Sequence, residues 1–251
     1  MRVSLHNPCA MTHFTTRPEI VGTQGVAAST HWLASQTAMG VLERGGNAFD
    51  AAVAGGFVLQ VVEPHLNGPG GEVPLLLWSE RERRMLSVCG QGAAPAEATP
   101  EAFRRLGLEQ VPGIGLLPAT VPGAFGTWLT LLRDHGTWSL ADVMAPAIRH
   151  AARGFGVTPY LAECINEAAP DLARDPAIAA LLLPGGAPIK PGARLIQAEY
   201  AETLTLIARE GPSVLNGALG SAIANGIRKA GRQYWRGLSL RNSTHWPARP
   251  A

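Results

Sequence analysis

The sequence lacks most patterns that point directly to a common chemistry. Cysteine is scarce: Cys9, Cys89 and Cys164 stand alone, with no CxxC. An odd, scattered three cannot form a complete disulfide framework. Reduced thiols in a cytoplasmic protein are the expectation. Seven histidines occur (His6, His13, His31, His65, His135, His150 and His245), but none at HxxH or HExxH spacing. No metal centre and no cofactor is therefore expected. There is no GxSxG, so no nucleophile elbow. Nor is there a Lys-Ser/Thr pair after the glycine-rich stretch at 67–71, so no P-loop.

Aromatics make up 6% and charged residues 16% of the 251 positions. The net charge is +2, and the basic residues are dispersed except at Arg81-Glu82-Arg83-Arg84. No nucleic-acid partner is expected of such a surface. No uninterrupted apolar run reaches about 18 residues, so no membrane span is expected. The first twenty residues lack the short apolar core of a signal peptide. Met11 could serve as a second start, with a loose extension before it.

What is present is a core and many turns. Hydrophobic residues make up 46% of the chain, enough to fold one large domain or two small ones. Gly 29 and Pro 20 fall between periodic segments rather than in triplets, which predicts tight connections. Residues 31–44 read as a helix, with Ala34, Ala38, Val41 and Leu42 on one face. Ser29 or Thr30 is the expected cap and Gly45 the left-handed stop. Asn47, with Asp50 three residues on, predicts the start of a second helix running to Val62 and ended by Pro64. Its apolar sequence, with Gly55 and Gly56, predicts burial on most sides and close approach by a neighbour.

Asn67-Gly68-Pro69-Gly70-Gly71 is a glycine-rich loop. It reads first as a structural turn, and second as a loop whose N–H groups line an acyl site. Residues 73–78 and 85–89 read as strands, with Pro74 at an edge. Helices are expected over 100–106, 122–135, 140–153, 158–168, 176–183 and 197–210. Glu63-Pro64-His65 and Asp134-His135 read as pairs at helix ends with a structural role. After about Trp235 neither helical nor strand periodicity continues, and nothing offers to bury Trp246. Asn242-Ser243-Thr244 matches a glycosylation sequon, expected to be accidental.

Three stretches resemble the γ-glutamyltranspeptidase (glutathione hydrolase) family. Ser35 to Gly71, containing Gly45-Gly46-Asn47-Ala48-Phe49-Asp50-Ala51-Ala52-Val53-Ala54, is similar to its helix–GGNAxDAAVA–helix–glycine-loop signature. Leu117 to Gly126, followed by Ala152 to Val157, resembles its LPxxVPG segment and later GF-x-V. Gln197 to Gly217 resembles a family helix and the turn after it. Together they span about residues 20–230.

The resemblance implies an N-terminal-nucleophile hydrolase with a four-layer αββα core. Members are made as a precursor that cuts itself before a threonine. The new amino end activates that hydroxyl, which carries an acyl group, typically γ-glutamyl, to water or an amine. Every matched motif precedes the cut. The expected fold class is thus α+β, a helix-rich large-subunit portion with an incomplete sheet. The expected division is 1–19 as extension, 20–235 as large-subunit domain and 236–251 as an off-family tail, with the reading frame broken near Arg232–Gly237. No catalytic residue is assigned. Ser243-Thr244-His245 looks like a family nucleophile sequence, but too little chain follows to hold it. The chain is expected to be inactive alone, or to complement a small subunit in trans.

One departure bears on substrate. In well-known members an arginine shortly before an Ala-Pro turn pairs with the glutamyl α-carboxylate. The resemblance puts Gln91, in Val88-Cys89-Gly90-Gln91-Gly92-Ala93-Ala94-Pro95, at that position. Glutamine cannot form the bidentate charged pair, which implies another small amide substrate. The other reading makes Gln91 a turn residue, with recognition done by the missing half.

Overall fold

The computed structural model describes residues 19–231 except 97 and 114, with side chains to residue 226. Cys9, Met11, all of the 1–19 extension but Glu19, the 232–237 junction and the 236–251 tail with Trp246 and Ser243-Thr244-His245 lie outside the described residues.

Helix α1, Trp32–Glu43, begins not at Ser29 or Thr30 but at His31, whose side chain accepts from Leu33 N–H. The imidazole Nδ1 sits where an asparagine oxygen would and does the same work. Ser29 instead bonds the His31 carbonyl and Ser35. Gly45, at φ 86°, ends the helix as expected. Helix α2, Ala48–Val62, starts in a full capping box: Asn47 accepts from Phe49 and Asp50 N–H, and Asp50 accepts from Asn47 N–H. All of α2 except Ala48, Phe49, Ala52 and Leu59 is buried.

Burial of α2 depends on its small residues. A Cβ on Gly55 would meet the Ala34 carbonyl at 3.4 Å, and one on Gly56 would run into the Trp128 ring. The glycines thus admit α1 on one side and a bulky ring on the other.

Strands β1, Leu75–Ser79, and β2, Arg84–Val88, pair antiparallel, with Leu77 opposite Leu86. They lie within a residue or two of the expected strands; Pro74 falls just before β1, where it removes no ladder donor. Thr99-Pro100 opens α3, Pro100–Arg105. Helix α4, Ala124–His135, follows Gly123, and Ser139 caps α5, Leu140–Arg153. A two-residue strand β3, Phe155–Gly156, comes next, then α6, Pro159–Leu172, and α7, Pro176–Leu182. Helices α3, α6 and α7 share one opening, a Thr or Asp cap followed by proline at the first helical position.

Strand β4, Arg194–Leu195, pairs antiparallel with β3. Helix α8, Ala198–Glu210, the single turn α9, Ser213–Asn216, and α10, Ala218–Gly231, complete the described chain.

Helix α2 is the axis of the core. Phe57 stacks obliquely on Phe125 of α4, ring centroids 5.1 Å apart. Val143, Met144 and Ala147 of α5 are fully buried in the same cluster. At the entry to α8, Gln197 donates Nε2–H to the Val61 carbonyl at 2.7 Å and N–H to the Ala151 carbonyl at 2.9 Å. Full burial of a side chain such as Phe57 stabilises by about 1.5–3 kcal/mol. The chain is α+β and helix-rich. Among the described residues its strands form two two-stranded sheets, fewer than two stacked layers require.

Candidate functional site

Three distant backbone segments meet beside the exit of β2. Gly71 O accepts N–H from Gly123 at 3.1 Å and from Ala124 at 2.9 Å. Val73 N–H reaches Gly90 O at 3.3 Å, and Val121 N–H reaches Ala93 O at 3.0 Å. The glycines are what let the segments touch. A Cβ on Gly90 would land on the Val73 carbonyl and the Thr127 hydroxyl; one on Gly92 would land on the Val121 carbonyl; one on Gly123 would land on the Gly90 carbonyl. Thr127 closes the unit by donating to Gly123 O at 2.9 Å. The glycine-rich loop, the Gln91 segment and the start of α4 are therefore one structural piece.

Gln91 projects from this piece into solvent, and Cys89 Sγ lies 3.9 Å from its Oε1. Backbone closure of the loop runs from Gly71 N–H to Gly68 O at 3.0 Å. Gly68 and Gly70 have open space where a side chain would stand.

The Gly46-Asn47-Ala48-Phe49-Asp50 stretch is structural. Asp50 is fully buried. Its Oδ1 accepts N–H from Thr137 at 2.8 Å and Trp138 at 3.1 Å; its Oδ2 accepts the Thr137 hydroxyl at 2.6 Å and Asn47 N–H at 2.9 Å. Asn47 Nδ2 donates to His135 O at 2.7 Å. The start of α2 is thereby tied to the α4–α5 turn. Burial works against the Asp50 charge, but the bonds from Thr137, Asn47 and Trp138 outweigh it and hold the carboxyl below its ordinary range.

A second polar group lies where α2 ends. Glu63, 5% exposed, accepts from Thr30 Oγ1 at 2.5 Å and Asn67 Nδ2 at 3.2 Å. Its carbonyl accepts from Leu66 and Asn67 N–H, each at 2.9 Å. His31 and His65 stand near it, and His150 lies near His31. His31 Nε2 and both His65 ring nitrogens are buried without a hydrogen-bond partner. Burial pushes all three imidazoles below their ordinary pKa. Glu63 partly opposes this at His31 and His65, while His65 adds to it at His31 and Arg149 and His31 add to it at His150. The Glu63-Pro64-His65 pair does more than end a helix. Thr30, 33 positions away, gives no sequence signal of that contact; an isolated Glu-Pro-His before a glycine loop was the only clue.

Among the described residues no group of three or more His, Cys, Asp or Glu is placed to hold a metal, and no helix is long and apolar enough to cross a membrane. A surface depression lined by residues 20–28, Met39 and Glu43 contains none of the groups above.

A helical scaffold wrapped on a glycine-rich signature helix, with its glycine loop locked to a VPG helix start, narrows the class, and comparison with known proteins settles it. The family described as Gamma-glutamyltranspeptidase matches residues 34–238. The Acylase ACY 1 proenzyme of Pseudomonas sp. (strain SE83) is 43% identical over 216 residues, covering 81% of this chain and 38% of that protein. The crystal structure of cephalosporin acylase from Bacillus halodurans superposes with TM-score 0.81 at 31% identity, over 96% of this chain and 46% of that one. The Helicobacter pylori gamma-glutamyltranspeptidase structure gives TM-score 0.78 at 29% identity, over 86% of this chain and 62% of that one. The chain belongs to the gamma-glutamyltranspeptidase family. It spans about two fifths of the length of the curated relatives it matches.

Proposed function

We propose that this chain supplies the large-subunit part of an amide or γ-glutamyl acyl transferase/hydrolase, passing the acyl group to water or an amine. The observation that carries the reading is the fused unit of Gly71, Gly90–Gly92 and Gly123, which holds Gln91 at a fixed place beside the glycine loop. Gln91 takes the place of the family's carboxylate-binding arginine. A neutral amide holds a carboxylate less firmly than a guanidinium fork does, by about 1.5–3 kcal/mol for the charged bond lost. The acyl donor is then a small amide whose recognition does not hinge on that pair; the likeness to acylases supports this.

None of the described residues is assigned as nucleophile. In this proposal the catalytic threonine belongs to a small subunit equivalent to the remaining length of the relatives, and the chain is inactive without it. The outward face of the β1–β2 hairpin suits cover by the small-subunit part, whether in the same precursor or in trans: Leu76, Trp78 and Met85 are 78%, 47% and 59% exposed on it. In the second reading, a non-catalytic subunit complementing a separately encoded small subunit, this face is where that partner docks.

The test is an assay with γ-glutamyl- and glutaryl-p-nitroanilide. The 251-residue chain alone should give no turnover, and the chain co-expressed with a threonine-starting small subunit of an acylase relative should give it. Turnover by the pure chain would refute the need for a partner. A stable, copurifying pair that turns over neither of these amides nor butyryl-p-nitroanilide, which lacks the carboxylate, would refute the acyl-transfer reading.

A further inference from the structure

We propose that Glu63 and His31 form a proton-sensitive clamp that positions the glycine-rich loop of the candidate site. The clamp has two jaws on one carboxylate. Glu63 holds Thr30, which precedes α1, and Asn67, which opens the loop. From Asn67 the backbone runs through Gly68 to Gly71, whose carbonyl takes the first N–H groups of α4. Gly123, the residue before α4, packs directly on Gly90 and Gln91. Four short steps thus join Glu63 to Gln91. Glu63 touches no substrate position; it is a positioning residue acting through Asn67 and Gly71.

His31 supplies the proton sensitivity. Its Nδ1 accepts Leu33 N–H at 3.2 Å, so in the neutral ring the proton sits on Nε2, a buried donor without an acceptor. A second proton can go only to Nδ1. That removes the acceptor, releases the cap of α1 and places a cation among buried groups. The groups facing His31 are Glu63 at the end of α2, His65 in the turn after it and His150 on α5, with Arg149 beside His150. A cationic His31 draws the Glu63 carboxylate, whose Oε2 holds both Thr30 and Asn67, and repels His65 and His150 if they charge. Protonation therefore loosens the loop at its root. Thr30 moves with it, being the next residue in the chain.

The experiment is amide hydrogen exchange on the full chain, with rates corrected for the intrinsic effect of pH. The reporters are Asn67, Gly71, Gly123 and Ala124, and the reference is α8. Lowering the pH from about 7.5 to about 4.5 carries it through and well below the ordinary histidine range, as the burial-lowered His31 requires. It should cut reporter protection about fivefold or more while α8 holds. His31→Asn keeps a capping acceptor but cannot titrate, so its reporter protection should not change with pH. Glu63→Gln should lower reporter protection at both pH values and shift the His31 imidazole titration, read by NMR, still lower.

Equal protection at both pH values in the wild type would overturn the clamp. So would the same pH effect in His31→Asn, or a loss shared by α8, which would mark general unfolding. The proposal rests on the reading above only in taking the loop as part of the acyl site. Failure of the amide assay would remove that site while leaving the exchange result standing.

Discussion

Asp50 and Thr137, 87 positions apart, are joined twice: one carboxylate oxygen takes the Thr137 amide and the other its hydroxyl. That pair fixes the α4–α5 turn against the start of α2. A Cβ on Gly136, the residue before Thr137, would lie 2.7 Å from Asp50 Oδ1, so the turn comes in close because that residue is glycine. The family's most recognisable motif is therefore a brace for the scaffold that carries the candidate site.

Replacing Asp50 by alanine should destabilise the chain by about 3 kcal/mol, because buried donors of Asn47, Thr137 and Trp138 lose their acceptor. Asp50→Asn should cost somewhat less, since one oxygen still accepts. The pH dependence has a definite sign. The folded carboxyl is held below its unfolded value. Its contribution is fully present above the ordinary Asp range near about 4 and is lost as pH falls through the lower folded pKa. Urea unfolding should show the wild-type advantage over Asp50→Asn at neutral pH shrinking only under acid. An advantage that persists unchanged at the most acidic pH would contradict this account.

Local signals were legible and long-range ones were not. Asn47 with Asp50, and Gly45 before them, carry the chemistry of a helix stop and start within six residues. Thr99, Thr158 and Asp175, each before a proline, do the same for three later helices. His31 was missed as a cap because histidine mimics asparagine only when its ring turns Nδ1 onto the backbone. The bonds of Asp50 to Thr137 and Glu63 to Thr30 need the tertiary fold to exist first. Strands β3 and β4, two residues each, are too short to show alternation. Helix α10 lies beyond the last helix that the sequence predicts, 197–210. Gln91 was placed by resemblance, and only the structure joins its neighbours Gly90 and Gly92 to Val73 and Val121.

The glycines of the candidate site should separate into two kinds. Gly90→Ala drives a methyl onto the Val73 carbonyl and the Thr127 hydroxyl, while Gly68→Ala meets nothing within 4 Å. Overpacking of this sort costs about 1–3 kcal/mol, whereas exposed substitutions stay within about 0.5 kcal/mol. Thermal melts should rank Gly90→Ala well below Gly68→Ala, which should match the wild type. Equal melting of the two variants would show that the fused backbone unit does not form.

Gln91→Arg tests what the neutral side chain does. Gln91 is exposed, with Cys89 Sγ as its neighbour at 3.9 Å, so a longer guanidinium has room without disturbing the core. If Gln91 faces the acyl tail, arginine adds a charged partner for a terminal carboxylate. The partnered enzyme should then favour glutaryl- and γ-glutamyl-p-nitroanilide over butyryl-p-nitroanilide, which lacks that carboxylate, by about 10- to 100-fold more than before. Comparing kcat/KM ratios removes any effect common to all three donors, such as weaker subunit pairing. A ratio that does not move would place the acyl tail away from Gln91 and leave that residue as part of the turn alone.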